Sequence, residues 1–416
     1  MHSEIEQNEP KASRWLILNI ILVYWALTMA LLTPPMMTIA LRVAQIAPNS
    51  KESTLGLLLG IGAVIAIFAN PVAGYFSDRT ILRIGKRKSW MVGGSIVGFV
   101  GLWMIAIGDI KMMIAGWCLT QLGLNGVAAA VMALLPDQIP RHQRGLVSGA
   151  MGMCIPAGMI SGFAIANYYI DNSQMMFLIQ PAILMVLVAI LCFTYADRET
   201  DPNSITPFSF RQMFRDFYFN PLAVPDFTWA FLSRMMFFMA LATFFGYQVY
   251  FLMDRLGYSQ TEIPGIMVKV NLITSAIQIA SSFLSGWLSD VIKRRKVFIW
   301  TSAVLYGVGL LIVGYSDSYY TFLFGACVMS LSFGVYFAVD IALVTEVLPD
   351  EKNNAAKDLG VMNVAGTLPQ TLAPALAPLF LFAGGQTVPN YNVLFMAAAV
   401  YAVLGAVTII PIKKVR

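Results

Sequence analysis

The chain has 416 residues, 58% of them hydrophobic and only 12% charged, and its mean hydropathy of +0.71 lies outside the range of water-soluble domains. Its net charge of +5 comes largely from Lys and Arg in short stretches between apolar runs, a pattern that orients a membrane protein and gives no support to nucleic-acid binding. The sequence has neither a phosphate-cradling Gly-x-x-x-x-Gly-Lys-Ser/Thr nor a nucleophile or metal constellation, so direct ATP drive is not expected, and neither is an enzyme, a cofactor or a metal.

Taken from the N-terminus, residues 1–14 read as a polar tail without a cleavable leader. Twelve apolar segments then reach the length of about 20 residues that a bilayer span requires. In the first half they run over 15–44, 55–76, 89–108, 112–136, 144–170 and 174–197. In the second half they run over 227–253, 263–288, 297–315, 320–347, 357–384 and 390–411. The expected fold is an all-α membrane protein of two six-helix bundles, 15–197 and 227–411, with a short tail at 412–416. Between the bundles, residues 198–226 form the one long polar linker, in which Phe208 to Phe219, with Arg211 and Arg215, reads as an amphipathic helix on the membrane surface. Cys118, Cys154, Cys192 and Cys327 sit inside apolar runs as small fillers, and His2 and His142 lie outside the spans.

An even number of spans puts both termini on one side, and 21 of the 27 basic residues fall on that side. The termini, linker and basic loops are therefore expected in the cytoplasm. No Asn-x-Ser/Thr sequon occurs, which favours a bacterial inner membrane over a eukaryotic surface.

The chain repeats itself. Gly74-Tyr75-Phe76-Ser77-Asp78-Arg79, followed by Arg83, Gly85, Lys86, Arg87 and Lys88, reads as a polar basic loop between the second and third spans. Gly286-Trp287-Leu288-Ser289-Asp290, followed by Lys293, Arg294, Arg295 and Lys296, begins 212 residues later, near half the chain length. Asp137 ends the fourth span and Glu346, 209 residues on, ends the tenth. A carboxylate at a helix C-terminus opposes the helix dipole, so both need cationic partners, which the basic loops supply. As gating contacts or as ordinary interfacial charges, they read almost equally well.

Asp340 lies six residues before Glu346, about 9 Å deeper along its helix. Arg234, seven residues into the seventh span, falls at a similar depth, and the two are placed to pair. Charge inside a span is costly and marks a functional-site candidate. A silent structural salt bridge is the alternative. Lys269, in the outer part of its span, can snorkel to the interface.

Twelve spans in two equivalent halves, with Gly-x-x-x-Asp-Arg and a basic cluster after spans 2 and 8, resemble the major facilitator superfamily of secondary transporters. Within it, Ser77-Asp78-Arg79-Thr80 and Arg83-Ile84-Gly85-Lys86-Arg87-Lys88 look like the loop of the glycoside-pentoside-hexuronide and sucrose-proton symporters. Trp25-Ala26-Leu27 and Leu31-Leu32-Thr33-Pro34, Ala133-Leu134-Leu135-Pro136-Asp137, and Asn363-Val364-Ala365 with Pro369-Gln370 are similar to sucrose symporters too. Gln121 and Met132 stand where plant sucrose symporters carry an Asp and an Arg, so that chemistry is not carried over there.

The resemblance implies a gate of Asp78, Arg79 and Asp290, joined by Asp137 and Glu346, and a proton-coupling pair of Asp340 with Arg234 beside a central cavity. It also makes substrate candidates of Tyr24, Trp25, Gln121, Asn125, Tyr247, Gln248, Asn271, Asn363 and Gln370, since amides and rings suit a hydroxyl-rich ligand. Each is, alternatively, helix-helix glue. The expected activity is alternating-access symport of a sugar or glycoside-like solute with a proton, or sodium, by a monomer in the lipid bilayer. Proton-coupled efflux of drug-like compounds is the alternative; Ile155-Pro156 in place of a Gly-Pro step counts against it, and the many Met and Phe count for it. A membrane receptor that transports nothing is the third reading.

Overall fold

An apolar run inside a bilayer has no water to satisfy its backbone, so each span must close its own hydrogen bonds as a helix. The computed structural model describes residues 12–82, 84–195, 197, 224–292, 294–347, 355–384 and 388–413, without the side chains of residues 71, 78, 290, 341, 345, 355–357, 359 and 360. Twelve helices long and apolar enough to cross a membrane lie among these residues. In the first half they are α1 (Arg14–Ile46), α2 (Lys51–Arg79), α3 (Lys86–Ile107), α4 (Ile110–Gln138), α5 (Arg141–Tyr168) and α6 (Ser173–Thr194). In the second they are α7 (Pro225–Asp254), α8 (Ile263–Ile292), α9 (Arg295–Gly314), α10 (Tyr319–Val347), α11 (Ala355–Leu381) and α12 (Tyr391–Ile409). The surface helix expected at Phe208–Phe219, like most of the linker, lies outside the described residues.

Local sequence explains several helix boundaries. Asp109, Asn172 and Asn390 cap α4, α6 and α12 through side-chain oxygens that accept backbone N–H groups within the first turn. In α1, Pro34 and Pro35 remove two backbone donors, and the chain widens there into a π-helical turn, Pro34–Thr38, closed by Ile39 N–H to Pro34 O. One expectation is corrected here: Gly74–Arg79 is the last stretch of α2, not loop, and Lys86–Lys88 already belong to α3. Helix continues because Arg79 folds back on its own turn, donating from Nη1 to the Tyr75 carbonyl at 3.1 Å with its guanidinium 3.3 Å from the Tyr75 ring.

The chain divides into two compact units, Met1–Thr54 with Ile61–Thr206 and Gln260–Val268, and Leu55–Gly60 with Pro207–Ser259 and Lys269–Arg416. In the first, α1 packs on α4, α5 and α6, and α3 on α4 and α6. The second repeats each pairing six helices later: α7 on α10, α11 and α12, and α9 on α10 and α12. The repeat reaches individual backbone crossings. A Cβ on Gly101 would stand 2.5 Å from the Gly116 carbonyl, and one on Gly94 would stand 2.5 Å from that of Gly123, so only glycine lets α3 and α4 approach so closely. In the α9–α10 crossing, Gly309 and Gly325 take the first role, while Ser302 and Ser332 replace the other glycine pair and are joined by a hydrogen bond from Ser332 Oγ to Ser302 O.

The cores differ in material. The first unit is mainly aliphatic, with Leu27, Leu124, Val131 and Leu184 among its buried residues. The second is aromatic along α7, where the Phe237 ring stacks on Tyr336 of α10 at 3.7 Å between centroids.

Candidate functional site

Two sets of charged residues stand out, one at the basic-loop ends of the helices and one buried. At the first basic loop, Arg87 in the opening turn of α3 is 5% exposed. Its Nε meets Asp137 Oδ2 of α4 at 2.9 Å, and its Nη1 donates to Ser77 Oγ of α2 at 3.0 Å. The Lys86 ammonium stands 4.0 Å from the same carboxylate oxygen. The α3 N-terminus, whose first N–H groups have no intrahelical partner, is capped from a distance. Asp197, just past α6, accepts from the backbone N–H of Arg87 at 2.6 Å and of Lys88 at 3.1 Å. A side chain at Gly85 would collide with that carboxylate, and its φ of 110° independently requires glycine. Lys88 lies over the ring of Tyr195, 4.8 Å from its centroid. Burial, and next the Asp197 charge, hold the Tyr195 phenol well above its usual pKa, so it stays neutral beneath the ammonium.

The second basic loop matches the first at its centre. Arg295, 208 residues after Arg87, opens α9 and pairs through Nη1 with Glu346 Oε1 of α10 at 2.5 Å. It also donates to the Ala342 carbonyl at 3.0 Å. The cationic partners expected for Asp137 and Glu346 are therefore Arg87 and Arg295, and each pair joins two helices of one unit. The side chains of Asp78 and Asp290 lie outside the described ones.

The buried set lies in the second unit. Arg234 of α7 and Asp340 of α10 form an ion pair, Nη1 to Oδ2 at 3.2 Å, as their depths in the sequence suggest. Asp340 is 5% exposed. Tyr336, one turn earlier, hydrogen-bonds its carboxylate, and the guanidinium faces the Phe238 ring at 5.6 Å. Gly366 of α11 faces the same arginine, so that a Cβ there would lie 3.8 Å from Nε. That Nε is buried and has no hydrogen-bond partner among the described residues, which leaves the arginine with unused donor capacity.

The substrate candidates fall into groups. Gln121 and Asn125, one turn apart on α4, are buried and bonded together, Asn125 Nδ2 donating to Gln121 Oε1 at 2.9 Å. Gln248 is buried with its Nε2 unpartnered among the described residues, and Asn271 is buried too. Asn363 and Gln370 are exposed on α11. Tyr24 is half-buried against the first core, and Trp25 donates from Nε1 to Ser161 Oγ of α5 at 3.2 Å. Tyr247 is fully buried and donates its hydroxyl to the Pro374 carbonyl of α11 at 3.1 Å. Sequence reasoning did not single out Arg87, Arg295, Asp197 or Tyr336. The first two could have been found from their 208-residue offset, one residue from the 209 of the acidic pair.

A duplicated set of twelve spanning helices, with matched ion pairs at equivalent helix ends, defines a membrane transporter built from two repeats. The model of the Major Facilitator Superfamily matches residues 15–277 and 249–415, and the chain belongs to that family. It is an integral membrane transporter, not an enzyme. Among curated proteins it is 23% identical over 163 residues to the sucrose transport protein SUC4 of Arabidopsis thaliana, covering 35% of this chain and 30% of that one. It is 26% identical over 144 residues to the glucose-6-phosphate exchanger SLC37A2 of Danio rerio, covering 32% and 28%. The matched region thus spans less than a third of either relative. Among solved structures, the nucleoside transporter NupG shares the fold at TM-score 0.76 and 12% identity over 96% of this chain and 100% of that one. A D-xylose-proton symporter shares it at TM-score 0.72 and 14% identity over 97% and 98%.

Proposed function

We propose that this transporter works by alternating access and couples a proton to the symport of a sugar or glycoside-like solute. The observation that carries the reading is the buried Arg234–Asp340 pair, at 3.2 Å, with one arginine donor left over. Charges at such depth are costly and are kept where they act. Protonating Asp340 would release Arg234, and solute or proton binding would then bias the two conformations differently. Gln121, Asn125, Gln248, Asn271, Asn363 and Gln370, with the rings of Tyr24, Trp25 and Tyr247, suit a hydroxyl-rich solute, and the sucrose and xylose transporters among the similar proteins support that class.

In this reading Asp78, Arg79, Asp137, Asp290 and Glu346 form the gate at the ends of the bundles 15–197 and 227–411, which the linker 198–226 joins. The tails, linker and basic loops face the cytoplasm of a bacterial inner membrane, since 21 of the 27 basic residues lie on that side. The protein acts as a monomer. Uptake of labelled mono- and disaccharides by proteoliposomes, with and without an inward proton gradient, tests the proposal. Gradient-dependent accumulation of one sugar supports it; folded protein that accumulates none overturns it.

A further inference from the structure

A buried carboxylate depends on the groups that hydrogen-bond it. Two described side chains reach Asp340: Arg234 of α7, with Nη1 at 3.2 Å from Oδ2, and Tyr336, whose hydroxyl donates to the carboxylate from one turn earlier on α10. These partners differ in one respect. A guanidinium is held by the negative charge and can only donate, whereas a phenol can donate or accept, and a protonated carboxyl group keeps an acceptor oxygen. Gaining a proton therefore removes the attraction that holds Arg234, while the Tyr336 hydroxyl still has an oxygen to bond.

The tyrosine is itself fixed by packing. Its ring is 1% exposed and lies parallel to that of Phe237 on α7, 3.7 Å between centroids and 2° between planes. Phe333, one turn before Tyr336, is parallel to Phe237 within 7° at 6.3 Å, and Phe238 meets Tyr336 edge-on at 6.5 Å. Phe238 also faces the Arg234 guanidinium, so Arg234, Phe237 and Phe238, spaced three and four residues apart on α7, meet Tyr336 and Asp340, four apart on α10. The other elements bring no rival charge to the carboxylate among the described side chains. α8 meets α10 through Ser281, Ser282 and Gly286; α9 sets Tyr306 against Phe237 and Arg295 against Glu346; Gly366 of α11 faces Arg234. We infer that Tyr336 is a positioning residue for Asp340, holding it in one place whether charged or neutral, so that gaining a proton frees Arg234 alone.

This role rests on the coupling proposed for Asp340, but it is tested on the carboxyl group directly, without solute. Difference infrared spectroscopy of the full-length protein follows the carbonyl stretch of protonated Asp340, identified by its loss in Asp340→Asn. Tyr336→Phe keeps the stacked ring and removes the hydroxyl. Donation to the charged form favours that form. Its loss should move the titration to higher pH by about one to two pH units, a ten- to hundredfold change in proton affinity, and shift the carbonyl band to higher frequency. Fluorotyrosine at position 336, a stronger donor of nearly the same volume, should move the titration to lower pH, and it serves where Tyr336→Phe does not fold. An unmoved titration with an unshifted band would overturn the inference, because a residue that only fills space leaves both in place. A titration that moves as expected in a protein that accumulates no sugar would sink the transport reading and leave the role of Tyr336 standing. Absence of the band at every pH would overturn both.

Discussion

At the basic loops the two units repeat each other: Arg87 with Asp137 joins α3 to α4, and Arg295 with Glu346 joins α9 to α10. Deeper in they part. The first unit has no charged residue on α4 between Lys111 and Asp137, whereas α10 buries Asp340 against Arg234 of α7. The supports around the repeated pairs have also diverged. A carboxylate from the end of α6, Asp197, caps the start of α3, while in the second unit Lys296 at the start of α9 donates to the carbonyls of Ile410 and Ile412 at the end of α12. Both arrangements satisfy a helix terminus with the charge its dipole favours, from opposite ends. Duplication has kept the pairs that tie helices together, while the Arg234–Asp340 pair has no counterpart on α4, which carries no charge between Lys111 and Asp137. That asymmetry is why the proposal assigns proton coupling to the second unit.

The sharpest way to break this comparison is Arg234→Ala, which leaves Asp340 buried without its cation and should cost about 3–5 kcal/mol. Replacing both, as Arg234→Met with Asp340→Leu, should restore most of that stability in a thermal melt, because a buried pair is often matched by apolar side chains of similar size. At the helix crossings, Gly101→Ala drives a methyl to within 2.5 Å of the Gly116 carbonyl and should destabilise by about 1–3 kcal/mol. Gly309→Ala should cost less, since its tightest neighbour is the flexible Met329 side chain and the Gly325 carbonyl is 3.1 Å away. The loop pairs should also differ. Asp137→Ala strands a buried Arg87 and should cost about 1–3 kcal/mol, while Glu346→Ala, at a more exposed pair, should cost at most about 1 kcal/mol. Equal losses at the two would contradict the difference in burial. A loss of about 1 kcal/mol is expected of Asp197→Ala, which removes a helix cap, read as faster amide exchange at Arg87 and Lys88.

The helices were legible because a span must be about 20 apolar residues long whatever surrounds it, and the duplication because Gly74 and Gly286 head matching motifs. The Arg234–Asp340 pair was legible from depth alone, since two lone opposite charges at one level of a bilayer have few other partners. The helical end of α2 was not, because Ser77 and Arg79 read as loop until the arginine is seen bonded back to Tyr75. Nor was the cap from Asp197, which acts across 110 residues and depends on how α6 ends beside α3. The substrate candidates divide in the same way: Gln121 and Asn125 meet by helical spacing, but Tyr247 finds Pro374 only through packing of α7 on α11.

The central claim is that the charge on Asp340 couples proton movement to transport. It is tested most directly by Asp340→Asn in proteoliposomes, comparing gradient-driven accumulation of a transported sugar with its counterflow at equal pH. Coupling predicts that accumulation falls at least tenfold while counterflow persists. Loss of both together in protein that remains folded, or full accumulation by the variant, would contradict it.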